Sequence, residues 1–308
     1  MNLFYNGREG GVILKKTYLR SLLLVLGLIF LTACQDEVTS EYPSRQDNTE
    51  DVTPSDETTD DTAPEEDVSD DDQSEADDDD VEKNEAEPAD ETVEVTYQIN
   101  QGNWRVEPLT DGVEAKVALL TIDDAPDKHA VEMAHILKEL DVPAIFFVNG
   151  HFLETDEKHE NLKEIHELGF TIGNHTYNHP NLKEITVEEQ REQLVKLNDK
   201  VEEIIGERPT FFRAPFGANT DDSLAIAKEE NMVVMNWTYG YDWEKQYQDS
   251  EALADIMVNT EFLNEGANLL MHDREWTKNA LEDIVSGLRE KGYTFVDPQT
   301  IKGVNDEI

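Results

Sequence analysis

From residue 116 onward the chain alternates between short apolar runs and longer stretches in which apolar positions recur every three or four residues. Val117-Ala-Leu-Leu-Thr-Ile122 and Ala144-Ile-Phe-Phe-Val148 are continuous, branched and aromatic, as strands buried on both faces are. This patterning predicts strands over 116–122, 144–148, 170–173, 210–213, 232–237, 268–271 and 294–296. Between them, 129–140 places Val131, Ala134, Leu137 and Leu140 on one helical face, and 157–168 and 187–205 end at Gly169 and Gly206, good helix stops. Further helices are predicted over 221–230, 250–262 and 278–291, with Asp221 and Asp222 as an acidic first turn. Repeated β-then-α order implies an α/β fold with a parallel sheet and right-handed crossovers. Seven or so strands make a (β/α) barrel, distorted or incomplete, the leading expectation. A doubly wound open sheet has the same order of elements, and residues 96–105 either complete the barrel or form a lead-in ribbon.

The first 95 residues have no such pattern. Arg8, Lys15, Lys16 and Arg20 precede an apolar stretch over 21–31, too short for a spanning helix, which needs roughly 20 residues. Leu31-Thr-Ala-Cys34 follows and resembles a bacterial lipobox, so 1–34 reads as a lipoprotein signal with lipid on Cys34, the only cysteine. From 35 to 95 there are 27 acidic residues against Arg45 and Lys83, more than half of the net charge of −45. With almost nothing apolar to bury, this stretch is expected to be a disordered, self-repelling tether. The expected location is outside the cell, lipid-anchored to the outer face of a bacterial cytoplasmic membrane.

That leaves 96–308, about 210 residues, enough for one well-cored domain. It lacks a basic stripe with interleaved aromatics, which argues against nucleic acid, and a monomer is expected. Its polar residues gather at the carboxyl ends of the predicted strands, where barrel enzymes hold their sites. Asp123 and Asp124 follow the first strand, His175 and His179 the third, Arg213 and Pro215 the fourth, Asp242 and Trp243 the fifth, and His272 the sixth. Two histidines and a carboxylate are a common divalent-metal set with open positions, and the second aspartate is left over as a base. The arrangement points to metal-assisted hydrolysis.

Thr121-Ile-Asp-Asp-Ala-Pro126, His175-Thr-Tyr-Asn-His179, Arg213-Ala-Pro-Phe-Gly217, Tyr241-Asp-Trp243 and Leu270-Met-His272 resemble, in order and spacing, the five motifs of the polysaccharide deacetylase (NodB-type) family, also called carbohydrate esterase family four. The resemblance implies Asp124, His175 and His179 as ligands of a divalent metal, usually zinc, and Asp123 as the general base, held ionised by Arg213. It implies His272 as the acid that protonates the leaving amine, steadied by Asp242. Pro215, Phe216, Trp243 and Leu270 would contact substrate, the last two around the acetyl methyl and the backbone N–H of Phe216 at the oxyanion. The expected reaction is N-deacetylation of a cell-envelope glycan, peptidoglycan first. Two positions depart from the family pattern: Ala125 stands where glycine is usual, and Tyr239 where an aspartate is usual. They motivate a rival expectation, a wall-binding lipoprotein without turnover; deacetylation of another exopolysaccharide is a third.

Overall fold

A computed structural model describes residues 93–306. The signal, Cys34 and the acidic stretch up to residue 92 lie outside the described residues. The described part opens with an antiparallel ribbon, β1 (Tyr97–Ile99) and β2 (Val106–Pro108), so residues 96–105 form the lead-in and add no strand to the main sheet. That sheet contains β3 (Val117–Ala125), β4 (Ala144–Val148), β5 (Thr171–Asn174), β6 (Phe211–Phe212), β7 (Val233–Val234), β8 (Ala267–His272) and β9 (Thr294–Phe295). Every pairing is parallel, in the order β7-β6-β5-β4-β3-β8, with β9 beside the start of β3.

Taken as a list, that order resembles a doubly wound sheet reversing at β3. One stretch decides otherwise. Beyond β7 the chain crosses to β8, where the Thr238 N–H donates to Asn268 O at 2.8 Å and Leu270 N–H to Tyr239 O at 2.9 Å. The two ends of the order are thereby joined, and the sheet curls into a distorted (β/α) barrel. The same crossing explains why the predicted strand over 232–237 pairs as β7 for only two residues. β6 is equally short because Ala214-Pro215 turns away into a 3-10 turn, Pro215–Gly217.

Helices α1 (Ala130–Glu139), α2 (Asp156–Glu167), α3 (Val187–Ile205), α4 (Asp221–Glu229), α5 (Ser250–Asn259) and α6 (Glu275–Glu290) connect the strands. α3 has the predicted limits for local reasons. Thr186 and Glu189 form a reciprocal capping box, and Gly206 ends it in the left-handed region at φ 83°. α6 begins three residues before its predicted start, and α5 ends at Asn259 because Thr260 is extended.

Strand alternation sorts the side chains. Ala118, Leu120 and Ile122 of β3 pack against the helices, whereas Val117 and Leu119 face the barrel interior with Ile145, Phe147, Phe211 and Met235. Thr121 and Asp123 share Leu119's parity, and Asn268, Leu270 and His272 alternate with Ala267, Leu269 and Met271 of the helix-facing core. Polar groups are thus delivered to one interior face, at the carboxyl ends of the strands.

Candidate active site

In register, Asp123 lies opposite His272 across the β3–β8 pair. The two carboxylates of the first motif then part company. Asp123 is buried, and its Oδ1 accepts from Arg213 Nη1 at 2.7 Å. Arg213 is itself fully buried. It donates to Thr121 Oγ1 at 2.7 Å and Asn236 O at 2.8 Å, and its guanidinium lies over the Phe147 ring, 4.4 Å from the centroid. A buried carboxylate paired with a guanidinium held on several sides is oriented by a charge-assisted bond. Asp124 turns the other way on a left-handed backbone, φ 63°, a conformation aspartate tolerates better than most side chains. Ala125, the substituted position, is not left-handed: it is buried in the helix-facing core and pairs with Val148. The methyl group therefore strains nothing there.

His175 and His179 come from the loop after β5. Asn149 Nδ2 donates to the carbonyls of His175 and Thr176, Asn174 Oδ1 accepts from Thr176 N–H, and Thr176 Oγ1 accepts from His179 N–H at 3.1 Å. These bonds fix left-handed residues at Thr176 (φ 70°) and His179 (φ 56°); such strain tends to collect at functional sites. Asp124, His175 and His179 each offer one ligand atom, all within 4.8 Å of one another. The set fits a cation chemically as well. His175 Nδ1 lies 2.7 Å from Arg213 O, and a carbonyl only accepts, so Nδ1 donates there and Nε2 is the nitrogen left to face the cluster. Burial and the neighbouring His175 lower the pKa of His179 against the opposing pull of Asp124 and Asp123, favouring its neutral form. Burial alone would raise the pKa of Asp124, but its electrostatic interactions with His175, His272, His179 and Arg274 outweigh it and hold the carboxyl below its ordinary value.

Across the cleft, Asp242 is fully buried and takes His272 Nδ1 at 2.7 Å, the His272 N–H at 2.6 Å and Thr277 Oγ1 at 2.8 Å. Trp276 Nε1 fastens its backbone carbonyl. His272 therefore presents Nε2 to a cleft of about 440 Å³, lined by Asp123, Asp124, His175, His179, Asp242 and His272 together with Phe216, Trp237, Trp243, Leu270 and Arg274. Phe216 and Trp243 are 69% and 46% exposed, so two large rings stand open at the mouth.

Every predicted acid, base and ligand converges here. Of the predicted substrate contacts, Phe216, Trp243 and Leu270 line the cleft, while Pro215 is buried in the turn that sets the left-handed Phe216, φ 58°. His129, His135, His151, His159 and His166 lie outside the lining. Tyr239, the other departure, points into the core and donates to Met257 O at 2.8 Å. Two lining residues were not anticipated. Trp237 reads as core in the sequence, and Arg274, which follows the fifth motif, donates to Asp124 Oδ2 at 2.8 Å.

Fold and site together place two paired carboxylates, Asp123 with Arg213 and Asp242 with His272, beside two histidines and an aspartate that could hold a cation, on the carboxyl face of a (β/α) barrel. The polysaccharide deacetylase family model matches residues 110–235, the stretch that carries the first three motifs. A peptidoglycan-N-acetylglucosamine deacetylase of Bacillus cereus is 34% identical over 193 residues, 59% of this chain and 66% of that protein. Among solved structures, a mutant of BA3943, from Bacillus anthracis and described as a CE4-family pseudoenzyme with restored enzymatic activity, is 32% identical with a TM-score of 0.55. That match covers 60% of this chain and 66% of the other. The peptidoglycan deacetylase PdaC of Bacillus subtilis matches 60% of this chain and 89% of its own at 29% identity and a TM-score of 0.53. The chain thus spans less than two thirds of the B. cereus and B. anthracis relatives.

Proposed function

We propose that this protein is a metal-dependent N-deacetylase of acetylated amino sugars in the cell envelope, with peptidoglycan as substrate, tethered to the outer face of the membrane by lipid on Cys34. One observation carries the reading: a buried base pair, Asp123–Arg213, and an acid pair, part-exposed His272 on buried Asp242, stand beside the Asp124, His175, His179 cluster. A divalent ion held by that cluster, zinc by its donor set, would supply Lewis acidity and acidify water.

The chain's own residues divide the remaining work. Asp123, fixed by Arg213, takes a proton from the attacking water. His272 gives a proton to the leaving amine, and Asp242 stabilises its imidazolium form. Leu270, Trp237 and Trp243 wall an apolar recess for the acetyl methyl. An amide resists hydrolysis because its carbonyl is a weak electrophile and its amine a poor leaving group, so base and acid must act in one cleft. The family's presence among named peptidoglycan deacetylases supports the substrate class.

The test is acetate release from N-acetylated glycan oligomers by the purified protein. Chelation should abolish release and added zinc restore it, and Asp123→Asn should lower the rate by about 10²-fold or more. Undiminished turnover after complete metal removal would overturn the reading. The B. anthracis pseudoenzyme shows that family membership alone does not secure turnover. Here neither Ala125 nor Tyr239 displaces an acid, base or ligand, which favours catalysis over binding alone.

A further inference from the structure

We infer that Arg274 is a positioning residue for Asp124: it grips the outer oxygen of that carboxylate and so sets how tightly the cluster takes a divalent ion. The inference rests on the cation-site reading above. The two oxygens of Asp124 are divided between two neighbours. Oδ1 faces His179 Nε2 at 3.6 Å, on the cluster side, and Oδ2 takes Arg274 Nη2 at 2.8 Å. The guanidinium is held in turn. Nη1 donates to Asp273 O at 2.9 Å and lies 3.8 Å from Asp127 Oδ2.

The neighbouring residue acts on the other end of the same loop. Asp273, also buried, accepts the backbone N–H groups of Lys128, His129 and Ala130 at 3.0, 2.6 and 3.1 Å. Three consecutive residues of the β8–α6 turn therefore have three duties. His272 reaches the cleft as the acid, Asp273 holds the start of α1, and Arg274 holds the ligand at the loop's other end. The loop from Asp124 to Ala130 is clamped twice by the element that carries the proton donor.

Two effects of Arg274 on an incoming cation oppose each other. A guanidinium repels the ion and draws charge from the carboxylate. It also fixes an oxygen that would otherwise rotate freely, so no orientational freedom is lost on binding. Arg274 is about a third exposed, 35%, and has Asp127 beside it, so water and a second carboxylate screen the repulsion. Orientation is not screened, and it dominates.

The experiment measures zinc binding by the metal-stripped full chain in competition with a chromogenic chelator, for the parent, Arg274→Gln and Arg274→Lys. Arg274→Gln is expected to raise the dissociation constant by about 10- to 100-fold, the usual cost of losing a partner of a metal ligand. Arg274→Lys, which keeps a cation beside Oδ2 but not the fork, should recover part of that loss. Circular dichroism checks folding; should Arg274→Gln not fold, weaker zinc binding by Arg274→Lys than by the parent carries the test. Equal or tighter binding by the folded variants overturns the inference, as does an unchanged zinc constant with a raised KM for glycan, which would make Arg274 a substrate contact. An inactive parent that still shows the affinity difference would sink the catalytic reading and leave this one intact. An active parent indifferent to Arg274 would do the reverse.

Discussion

His272 stands between opposing influences. Burial disfavours its charged form, but the hydrogen bond and charge of Asp242, with the charges of Asp123 and Asp124, overcome it and raise the pKa above the ordinary 6.5. In the proposed reaction His272 gives the proton and must be protonated, so the alkaline limb of the rate profile should lie above that value. Asp242→Asn removes the two largest causes of the rise and leaves burial. The limb should then move toward lower pH, and at pH 7 the rate should drop by about 10-fold or more; a pH–rate profile of both proteins decides it. The stability linkage has the same sign. A raised histidine contributes fully below about pH 6.5 and loses that contribution as pH climbs through its elevated value, so the parent should lose more stability than Asp242→Asn between pH 6 and 8. Residue types and spacing made this pair legible in the sequence. Arg274 was not, because a single arginine after a strand carries no periodic or spacing signal, and its role depends on the left-handed turn of Asp124. Ala125 was legible as a departure but not as a harmless one, since which residue of a tight turn takes positive φ is a property of the folded loop.

The elements that carry the site differ in how far their sequences determine them. β3 and β4 were plain because strands buried on both faces must be apolar throughout, and α3 because both of its ends carry their own caps. β6 and β7 were overextended: Thr210–Arg213 and the residues after Met232 are strand-like in composition, yet Pro215 turns one away and the crossing to β8 takes the other. Barrel closure rests on backbone bonds of Thr238 and Tyr239, groups every residue possesses, so the sequence could not separate a barrel from an open sheet. α1 shows an element held from outside. Its N-cap His129 makes no side-chain capping bond, and Asp273, more than 140 positions on, accepts the exposed N–H groups instead. Asp273→Ala should cost about 1–2 kcal/mol, as loss of a helix cap does, read as a lower denaturant midpoint with unchanged m-value. A loss below about 0.3 kcal/mol would mean that α1 is held by its packing against α2 and α6 alone.

At the scale of the whole molecule, charge and chemistry are segregated along the chain. The acidic stretch from 35 to 95 holds most of the net −45 and almost no apolar side chains, while every member of the site falls between Thr121 and Thr277. A segment without apolar surface cannot stabilise a fold by burial, and the described residues contain cores on both faces of their own sheet. Removing residues 1–92 should therefore leave the unfolding midpoint and the kcat/KM on soluble glycan oligomers within about twofold of the full chain. The proposed anchor acts on location instead. Cys34→Ser should move the protein from the membrane fraction to the medium and reduce deacetylation of the wall in cells, without altering turnover on oligomers. The two measurements separate two uses of acidity. If truncation lowers kcat/KM on oligomers, the acidic stretch takes part in substrate capture. If it changes only activity on intact wall, the stretch acts through reach and not through the cleft. A mutual repulsion between this segment and an anionic wall would also be screened by salt. Raising ionic strength should accordingly help the full chain on intact wall more than the truncated one.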